Sequence, residues 1–331
     1  MNSISRRNFL KLSALGGACV ALGASPFGSA RAAASRMSEA SWANLVPGFT
    51  TLVTDFIEAK RLDVKHNLKL AKPITYTSVP TYYGDFVAGS YDVCIGSWDS
   101  FATRYLSGVP IQLICTITSA DMINILAPAG KTIKDLVGRV IAAPQSTGTY
   151  RLTRALIQEL YDMDLEKAMT VQNVANPAAS VTLLMAGRAE AGLSWEPNIS
   201  SGLLQGQNLG ITFNAGQEYK NRTGLDLPYF GVAVRKAAIE RDPAIVGRLN
   251  ETFKECLEGI MSAPEEAIKI AGERTGTPPE VMRLALSSGR LAFKHGPMND
   301  ANARRAVEQA AVFLAKHQLL PRPVDEGFFA L

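Results

Sequence analysis

Three small polar residues, Ser146, Thr147 and Gly148, stand where a short apolar run gives way to a helical pattern. The run ends at Pro144, and the pattern that follows places apolar residues at 152, 155, 156 and 160, the spacing of one helix face. The start of a helix offers unpaired backbone N–H groups and a partial positive charge, which suit an anionic or strongly polar group. The segment therefore predicts either a ligand-binding turn or an ordinary βα turn in which Ser146 or Thr147 caps the helix.

A second pattern occurs twice along the chain. Ser97-Trp98-Asp99 and Ser194-Trp195-Glu196 each follow a Gly, an acidic residue and a short apolar run. Two strands that each end in Ser, Trp and an acid suit the two walls of a cleft between paired α/β domains. The alternative is that each Trp packs beneath its own loop, because Trp is usually mostly buried. We favour the cleft for the matched pair.

Aromatic side chains are expected to enclose the body of a ligand while the polar turn receives its head. Trp98, Trp195 and Tyr229 lie at predicted strand ends, and Tyr82 or Tyr83 would complete the enclosure. Glu196 stands at a strand end as well, although Glu196 followed by Pro is equally consistent with a structural turn. The predicted ligand-binding residues are Ser97, Trp98, Ser146, Thr147, Gly148, Trp195, Glu196, Tyr229, Tyr82 and Tyr83.

Residues suited to catalysis or metal binding are few and dispersed. The three histidines, at 66, 295 and 317, have no metal-ligand neighbour at helical spacing, and no C-x-x-C pair occurs. No Ser-His-Asp set or carboxylate pair can be assembled from the sequence. We therefore expect no catalytic residue, no metal and no cofactor. Cys94 and Cys115 lie in apolar runs, where a disulfide and buried thiols are both open.

Residues 1–34 predict a removable export signal. The segment Ser5-Arg6-Arg7-Asn8-Phe9-Leu10-Lys11 carries a twin-arginine motif, and a modestly apolar stretch from Leu12 to Ala24 follows it. This stretch is too short and too rich in Gly and Ala to anchor the chain in a bilayer. Small residues at 30–34 offer A-x-A cleavage sites. We expect the twin-arginine translocase to export the folded protein to the periplasm, with processing near Ala34.

Removal of the signal changes the charge of the chain. The precursor has 34 basic and 30 acidic residues, a formal net charge of +4. The four extra basic residues, Arg6, Arg7, Lys11 and Arg31, all precede the predicted cleavage, so the mature chain is close to neutral. A neutral chain without a basic stripe does not predict binding to nucleic acid or to an anionic membrane surface.

Strand and helix patterns alternate through most of the mature chain. Helical spacing predicts a helix over 49–59, and short β-rich runs predict strands at 92–96, 122–127 and 190–195. Repeated βα units predict an α/β fold with mostly parallel sheets flanked by helices and with ligands at the carboxyl ends of strands. Beyond a strand at 227–234 the pattern predicts helices only, followed by a tail that is either a docking arm or a frayed end.

Four motifs occur in order along residues 45–262: 86–93, 135–144, 146–150, and 184–190 leading to Trp195-Glu196-Pro197. Together they resemble the periplasmic solute-binding proteins of ABC importers, in the branch that binds sulfonates, taurine, nitrate and thiamine-pyrimidine precursors. The resemblance implies a type 2 binding-protein fold with two lobes that close on a ligand about a hinge. Lobe one would comprise residues 38–122 and 226–331, and lobe two residues 123–225. The implied partners of this monomer are a small-molecule ligand and an ABC permease with its ATPase.

Two departures from the family pattern leave the ligand open. The N-terminal strand is weak in the sequence of residues 41–46. Sulfonate-binding members often place a basic residue beside the anion, whereas these loops offer only Arg151. The alternatives to transport are an exported enzyme and a ligand-sensing subunit on the same fold. Pyrimidine-precursor synthases of this fold use a Cys-rich motif, and no clustered Cys is present here.

Overall fold

The computed structural model describes residues 37–331, so the predicted signal peptide lies outside the described residues. Strands and helices alternate along this range. The strands are β1 (Ser38–Ala40), β2 (Ala43–Leu45), β3 (Leu68–Leu70), β4 (Ile74–Tyr76), β5 (Val93–Ser97), β6 (Ile111–Thr118), β7 (Ile123–Pro128), β8 (Val140–Ala143), β9 (Thr170–Asn173), β10 (Ala191–Trp195), β11 (Leu209–Asn214), β12 (Phe230–Arg235) and β13 (Phe293–Pro297).

The α-helices are α1 (Thr50–Lys60), α2 (Leu62–Lys65), α3 (Val79–Ala88), α4 (Trp98–Leu106), α5 (Gly148–Tyr161), α6 (Leu165–Ala168), α7 (Pro177–Met185), α8 (Asn198–Gln205), α9 (Ala215–Thr223), α10 (Lys236–Arg241), α11 (Ile245–Ser262), α12 (Pro264–Ala271), α13 (Pro279–Ser287) and α14 (Ala301–Lys316). Short 3₁₀ helices occur at Ala120–Met122, Ile133–Leu136, Gly272–Thr275 and Glu326–Phe328. No helix within residues 37–331 is long and apolar enough to cross a membrane.

Two larger sheets organise the described residues. The first sheet has the strand order β13-β6-β12-β5, and its neighbours pair antiparallel at each step. The second sheet has the order β11-β7-β10-β8-β9. In it, β8 pairs in parallel with both of its neighbours, and β7 pairs antiparallel with both of its own. Two short parallel pairs, β1-β3 and β2-β4, precede these sheets along the chain.

The α/β fold class is confirmed, but the sheets are mixed rather than mostly parallel. Strand β12 lies between β5 and β6 and runs antiparallel to both. The chain reaches β12 from the second sheet, so it enters the first sheet at the end where β6 leaves it. A strand that enters at that end has to run in the opposite direction to β6, which gives the antiparallel hydrogen-bond pattern.

The chain passes between the two sheets through two connections. The first connection covers residues 119–122, and the second covers residues 215–229 and includes α9. They are tied to each other, because the N–H of Ala120 donates to the carbonyl of Leu227 at 2.8 Å. The predicted lobe boundaries fall within these connections. The division into two lobes that move separately stays a prediction.

Local hydrogen bonds fix where the helices begin. Thr132 and Asp135 form a capping box at the 3₁₀ helix Ile133–Leu136. The Asn176 side chain accepts from the N–H of Ala179 at 2.9 Å, and Pro177 is the first residue of α7. These caps place helix starts directly after strand ends, where ligands bind in α/β folds.

The structure shows what residues 41–46, strand β13 and the C-terminal tail form. The weak β pattern at 41–46 contains β2, which pairs with β4, so the N-terminal strand is present. The prediction that only helices follow residue 234 is wrong, because β13 joins the edge of the first sheet. The Lys, Gly and Pro of β13 disfavour a strand in the sequence. The tail is a docking arm, since Phe328 and Phe329 are buried and Ala330 donates to the carbonyl of Leu113 at 2.9 Å.

Cys94, Cys115 and Cys256 are buried free thiols. Cys94 is paired opposite Ala233 and Cys115 opposite Val232, on the two sides of β12. Two strand spacings of about 4.8 Å therefore separate their backbones, more than the Cα separation of roughly 7 Å that a disulfide permits. The strand order thus decides between the two alternatives in favour of thiols.

Candidate ligand-binding site

The start of α5 has the donors that its sequence predicts. Thr147 caps the helix, because its Oγ1 accepts from the N–H of Tyr150 at 3.2 Å and donates to the carbonyl of Pro144 at 2.8 Å. Within residues 37–331, the N–H groups of Gly148 and Thr149 have no protein acceptor. The helix that follows has 14 residues, so the partial positive charge of its N-terminus adds to these two donors.

Side chains of the first sheet approach this helix start. A Cβ built on Gly148 would lie 3.0 Å from Oδ2 of Asp99, which places the Asp99 carboxyl group beside the first residue of α5. The hydroxyls of Thr149 and Tyr229 are hydrogen-bonded to each other. Asp99 follows β5 and Tyr229 precedes β12, whereas α5 follows β8 of the second sheet. The start of α5 therefore lies where the two sheets meet, with Ser146 exposed next to it.

Asp99 and Arg151 determine the charge of this junction. Burial raises the pKa of Asp99, and hydrogen bonds from Ser97 and from backbone N–H groups, together with the charge of Arg151, act against that rise. Burial also raises the pKa of Tyr229, so its hydroxyl stays protonated at physiological pH. A cavity of ≈ 20 Å³ lies among Trp98 and these side chains, which is room for about one water.

Trp98 and Tyr82 have packing roles in the first sheet. Trp98 is 2% exposed, and its indole N–H donates to the carbonyl of Pro228 at 2.7 Å. Tyr82 is equally buried, and its hydroxyl donates to the carbonyl of Ile95 at 2.8 Å while accepting from the N–H of the same residue at 3.1 Å. The structure thus places Tyr82 in the core, and Trp98 contacts the ≈ 20 Å³ cavity with little exposed surface.

Tyr83 and Ser97 support the end of β5. The Tyr83 hydroxyl accepts from the N–H of Ser97 at 3.1 Å, and the guanidinium of Arg104 lies 4.2 Å from the Tyr83 ring centroid. The Ser97 hydroxyl, which is partly exposed, donates to the hydroxyl of Ser100 at 2.8 Å. Tyr83 therefore holds the strand end in place, while Ser97 keeps a hydroxyl near the junction.

Glu196 is fully buried and paired, which differs from the cleft position expected for it. Its Oε1 lies 2.5 Å from Nε of Arg290, and its other oxygen accepts from the N–H of Ser200 at 3.0 Å. Trp195, directly before it, is partly exposed at the end of β10. Of the matched Trp pair, Trp195 is therefore the one with surface available to a ligand.

The structure brings together part of the predicted set. Gly148, Trp98 and Tyr229 line one cavity, and Asp99 and Arg151 line it with them. Trp195, Glu196 and Tyr82 are not among its lining residues. Two residues are new, Thr149 and Arg290, whereas Asp99 is the acid of the repeated Ser-Trp-acid pattern. Thr149 directly follows Gly148, which the sequence singles out, but Arg290, the partner of Glu196, has no local signal. Within residues 37–331, no group of three or more His, Cys, Asp or Glu side chains could hold a metal ion.

Comparison with protein families identifies the chain. Residues 70–267 match the family described as NMT1/THI5 like. The chain belongs to this family. Residues 3–23 match the signal sequence of the twin-arginine translocation pathway. The predicted family of solute-binding proteins, the export signal and the location in the periplasm are thereby confirmed. None of the curated proteins matches the chain.

Solved structures confirm the binding-protein fold. The periplasmic aliphatic sulphonate binding protein SsuA from Escherichia coli matches with a TM-score of 0.71 and 17% identity, over 88% of this chain and 90% of that one. The alkanesulfonate-binding protein SsuA from Xanthomonas axonopodis pv. citri, bound to MOPS, matches with a TM-score of 0.65 and 17% identity, over 87% and 95%. The desulfurization enzyme DSZB matches with a TM-score of 0.58 and 13% identity, over 87% and 94%. The fold is therefore shared by binding proteins and by an enzyme.

Proposed function

We propose that this NMT1/THI5-like protein captures a small organic anion at the start of α5 and delivers it to an ABC permease and its ATPase. The observation that carries the proposal is the pair of free N–H groups on Gly148 and Thr149, at the place where the two sheets meet. The family and the export signal support the role in transport. Aliphatic sulfonates, for which two of the similar structures are named, are the first ligands to test.

Neutral donors are sufficient to hold the head of such a ligand. A hydrogen bond to a charged group contributes roughly 1.5–3 kcal/mol, and the exposed Ser146 hydroxyl adds a third donor to the two N–H groups. Asp99 is compatible with an anion there, because burial already favours its protonated form and a bound anion would raise its pKa further. A protonated Asp99 would itself donate to the ligand.

The body of the ligand is expected to lie toward Trp195. Strands β8 and β10 pair in parallel, so their carboxyl ends lie at one edge of the second sheet. The first leads to α5 and the second ends in Trp195, which keeps exposed surface. Because the ≈ 20 Å³ cavity at the junction holds about one water, a larger ligand requires the sheets to separate. The two connections are where such a hinge would bend.

The experiment compares Gly148→Asp with Gly247→Asp. Ligand that co-purifies with the native protein is identified by mass spectrometry and titrated, beside an alkanesulfonate series, by calorimetry. Gly148→Asp introduces a carboxylate and a Cβ at 3.0 Å from Asp99, so affinity should fall more than tenfold, about 1.4 kcal/mol. Gly247 also lies in the first turn of a helix, and a Cβ there meets nothing within 4 Å. Gly247→Asp should bind like the wild type.

Circular dichroism shows whether both variants are folded. Wild-type affinity in a folded Gly148→Asp protein would mean that the turn only caps α5 and that the ligand binds elsewhere.

We propose that the protein is not an enzyme. Chemical change of the ligand after incubation with purified protein would support the exported-enzyme alternative, for which the fold of DSZB gives precedent. Loss of ligand uptake from cells without this protein would separate transport from sensing.

A further inference from the structure

The carboxyl group of Asp99 lies between the starts of two helices. Asp99 is the second residue of α4, and backbone N–H groups at the start of that helix donate to its carboxylate. A Cβ built on Gly148, the first residue of α5, would lie 3.0 Å from Oδ2 of Asp99. Because a Cβ is about 2.5 Å from the nitrogen of its own residue, Oδ2 lies within about 5.5 Å of the free N–H of Gly148. An anion that accepts from this N–H therefore meets the carboxyl group of Asp99.

Few other charges surround this carboxyl group. Within residues 37–331, the ≈ 20 Å³ cavity beside it is lined by one other charged residue, Arg151, which is exposed. The hydroxyls of Tyr83 and Tyr229 also face Asp99, and burial raises the pKa of both, so they stay protonated. The end of α14 and the segment after it contribute only leucines to the lining. The one cation is thus solvent-exposed, where water and salt screen its charge.

An anion at the start of α5 would bring a second negative charge to this carboxyl group. Two anionic groups that share a site are not both ionised, because their repulsion raises the pKa of one of them. A sulfonate has no proton and only accepts hydrogen bonds, so Asp99 would have to hold the proton. A phosphate monoester loses its second proton only near pKa about 6, and a phosphonate likewise keeps one O–H in its monoanion. Such a head can donate to an ionised Asp99.

We infer that Asp99 determines which anions the α5 site (the N–H groups of Gly148 and Thr149) accepts, because the head group and this carboxyl group hold one proton between them. The inference rests on the proposed function, since it requires an anion at α5. A sulfonate binds only with protonated Asp99, so its capture takes a proton from the solvent as the pH rises. A head with its own O–H also binds to ionised Asp99, and is therefore the preferred ligand class at alkaline pH.

Butanesulfonate and butylphosphonate test the inference, because they match in chain length and differ in the acidic O–H. The exported chain is titrated with each by calorimetry between about pH 6 and about pH 9, a range that includes the pKa values of buried carboxyl groups. The affinity for butanesulfonate should fall at least tenfold over this range, and the affinity for butylphosphonate should fall less. Two buffers of different ionisation enthalpy should show net proton uptake with butanesulfonate at the alkaline end.

Asp99→Asn removes the titrating group and keeps its shape. The amide is neutral throughout the range and donates to a sulfonate, so the affinity for butanesulfonate should become independent of pH and exceed the wild-type value at least tenfold at the alkaline end. Asp300→Asn is the matched control, because Asp300 caps α14 and Asn caps a helix equally well. Asp300 lies about 21 Å along α14 from Leu314 at the cavity, so this variant should keep the wild-type pH profile.

The outcomes distinguish this inference from the proposed function. If Gly148→Asp abolishes binding of butanesulfonate, but the wild type and Asp99→Asn have the same pH profile, the α5 site stands and the role given to Asp99 is wrong. A preference for butanesulfonate over butylphosphonate at the alkaline end would also overturn that role. If Gly148→Asp binds both anions like the wild type, or if neither anion binds the wild type up to millimolar concentration, the proposed function and this inference fail together.

Discussion

The buried pair of Glu196 and Arg290 should stabilise this protein far more than an ion pair at its surface. Glu196 is fully buried, the Arg290 side chain is 13% exposed, and their atoms lie 2.5 Å apart. Glu196→Gln keeps the shape but leaves the arginine charge buried without a counterion. Removing one partner of a buried pair lowers the free energy of unfolding by about 3–5 kcal/mol.

Glu265→Gln is the matched control. Glu265 accepts two hydrogen bonds from Arg283, at 2.5 and 2.8 Å, but the two side chains are 62% and 50% exposed. Loss of such an exposed pair should hardly change the urea midpoint, because solvent screens both charges. Both variants are unfolded in urea and followed by circular dichroism. Equal midpoints would refute this account of the buried pair.

A double variant tests whether the unpaired charge of Arg290 causes the loss of stability in Glu196→Gln. Arg290→Met added to Glu196→Gln removes the orphaned charge and fills its space with an apolar chain, so part of the lost stability should return. Ligand affinity supplies a separate readout. If Glu196→Gln weakens ligand binding while the free energy of unfolding is unchanged, Glu196 is a ligand contact rather than the buried anchor described above.

Three further predictions follow. Ligand should change intrinsic fluorescence, and Trp195→Phe should remove more of that change than Trp98→Phe, because Trp195 is the more exposed. The reverse order would contradict the proposal that the ligand body lies toward Trp195. Burial lowers the pKa of His295 to about 4, so between this value and about 6.5 the unfolded chain binds more protons and stability should fall as the pH drops. His295→Gln should flatten that slope in urea midpoints, and an unchanged slope would exclude His295 as its source. Replacing Arg6 and Arg7 by Lys should keep the precursor in the cytoplasm on cell fractionation, and wild-type periplasmic yield would disprove the signal.

Local chemistry made the helix starts predictable. Thr147 and Asn176 are short polar residues directly before helical spacing, and each accepts a hydrogen bond from a first-turn N–H as expected. The strand ends that precede them follow from short apolar runs, whereas the order and direction of the strands in the sheets do not. The position of the candidate site at the start of α5 is therefore readable from the sequence.

Contacts between distant residues were not predictable in this way. The indole of Trp98 bonds to Pro228, 130 residues away, and Glu196 pairs with Arg290, 94 residues away. The sequence around Trp98 and Glu196 is the same whether they face a cleft or the core, because the partner that decides it lies elsewhere in the chain. Strand β13 was missed for a similar reason, since its pairing with β6 outweighs its weak propensity.

The most direct test of ligand capture at α5 is an experimental structure of the protein with its co-purified ligand. The account predicts an oxygen of the head group at about 2.7–3.2 Å from the backbone nitrogen of Gly148 or Thr149. It also predicts that the ligand body lies on the side of Trp195. A ligand bound elsewhere, with both of these N–H groups hydrogen-bonded only to water, would contradict the account.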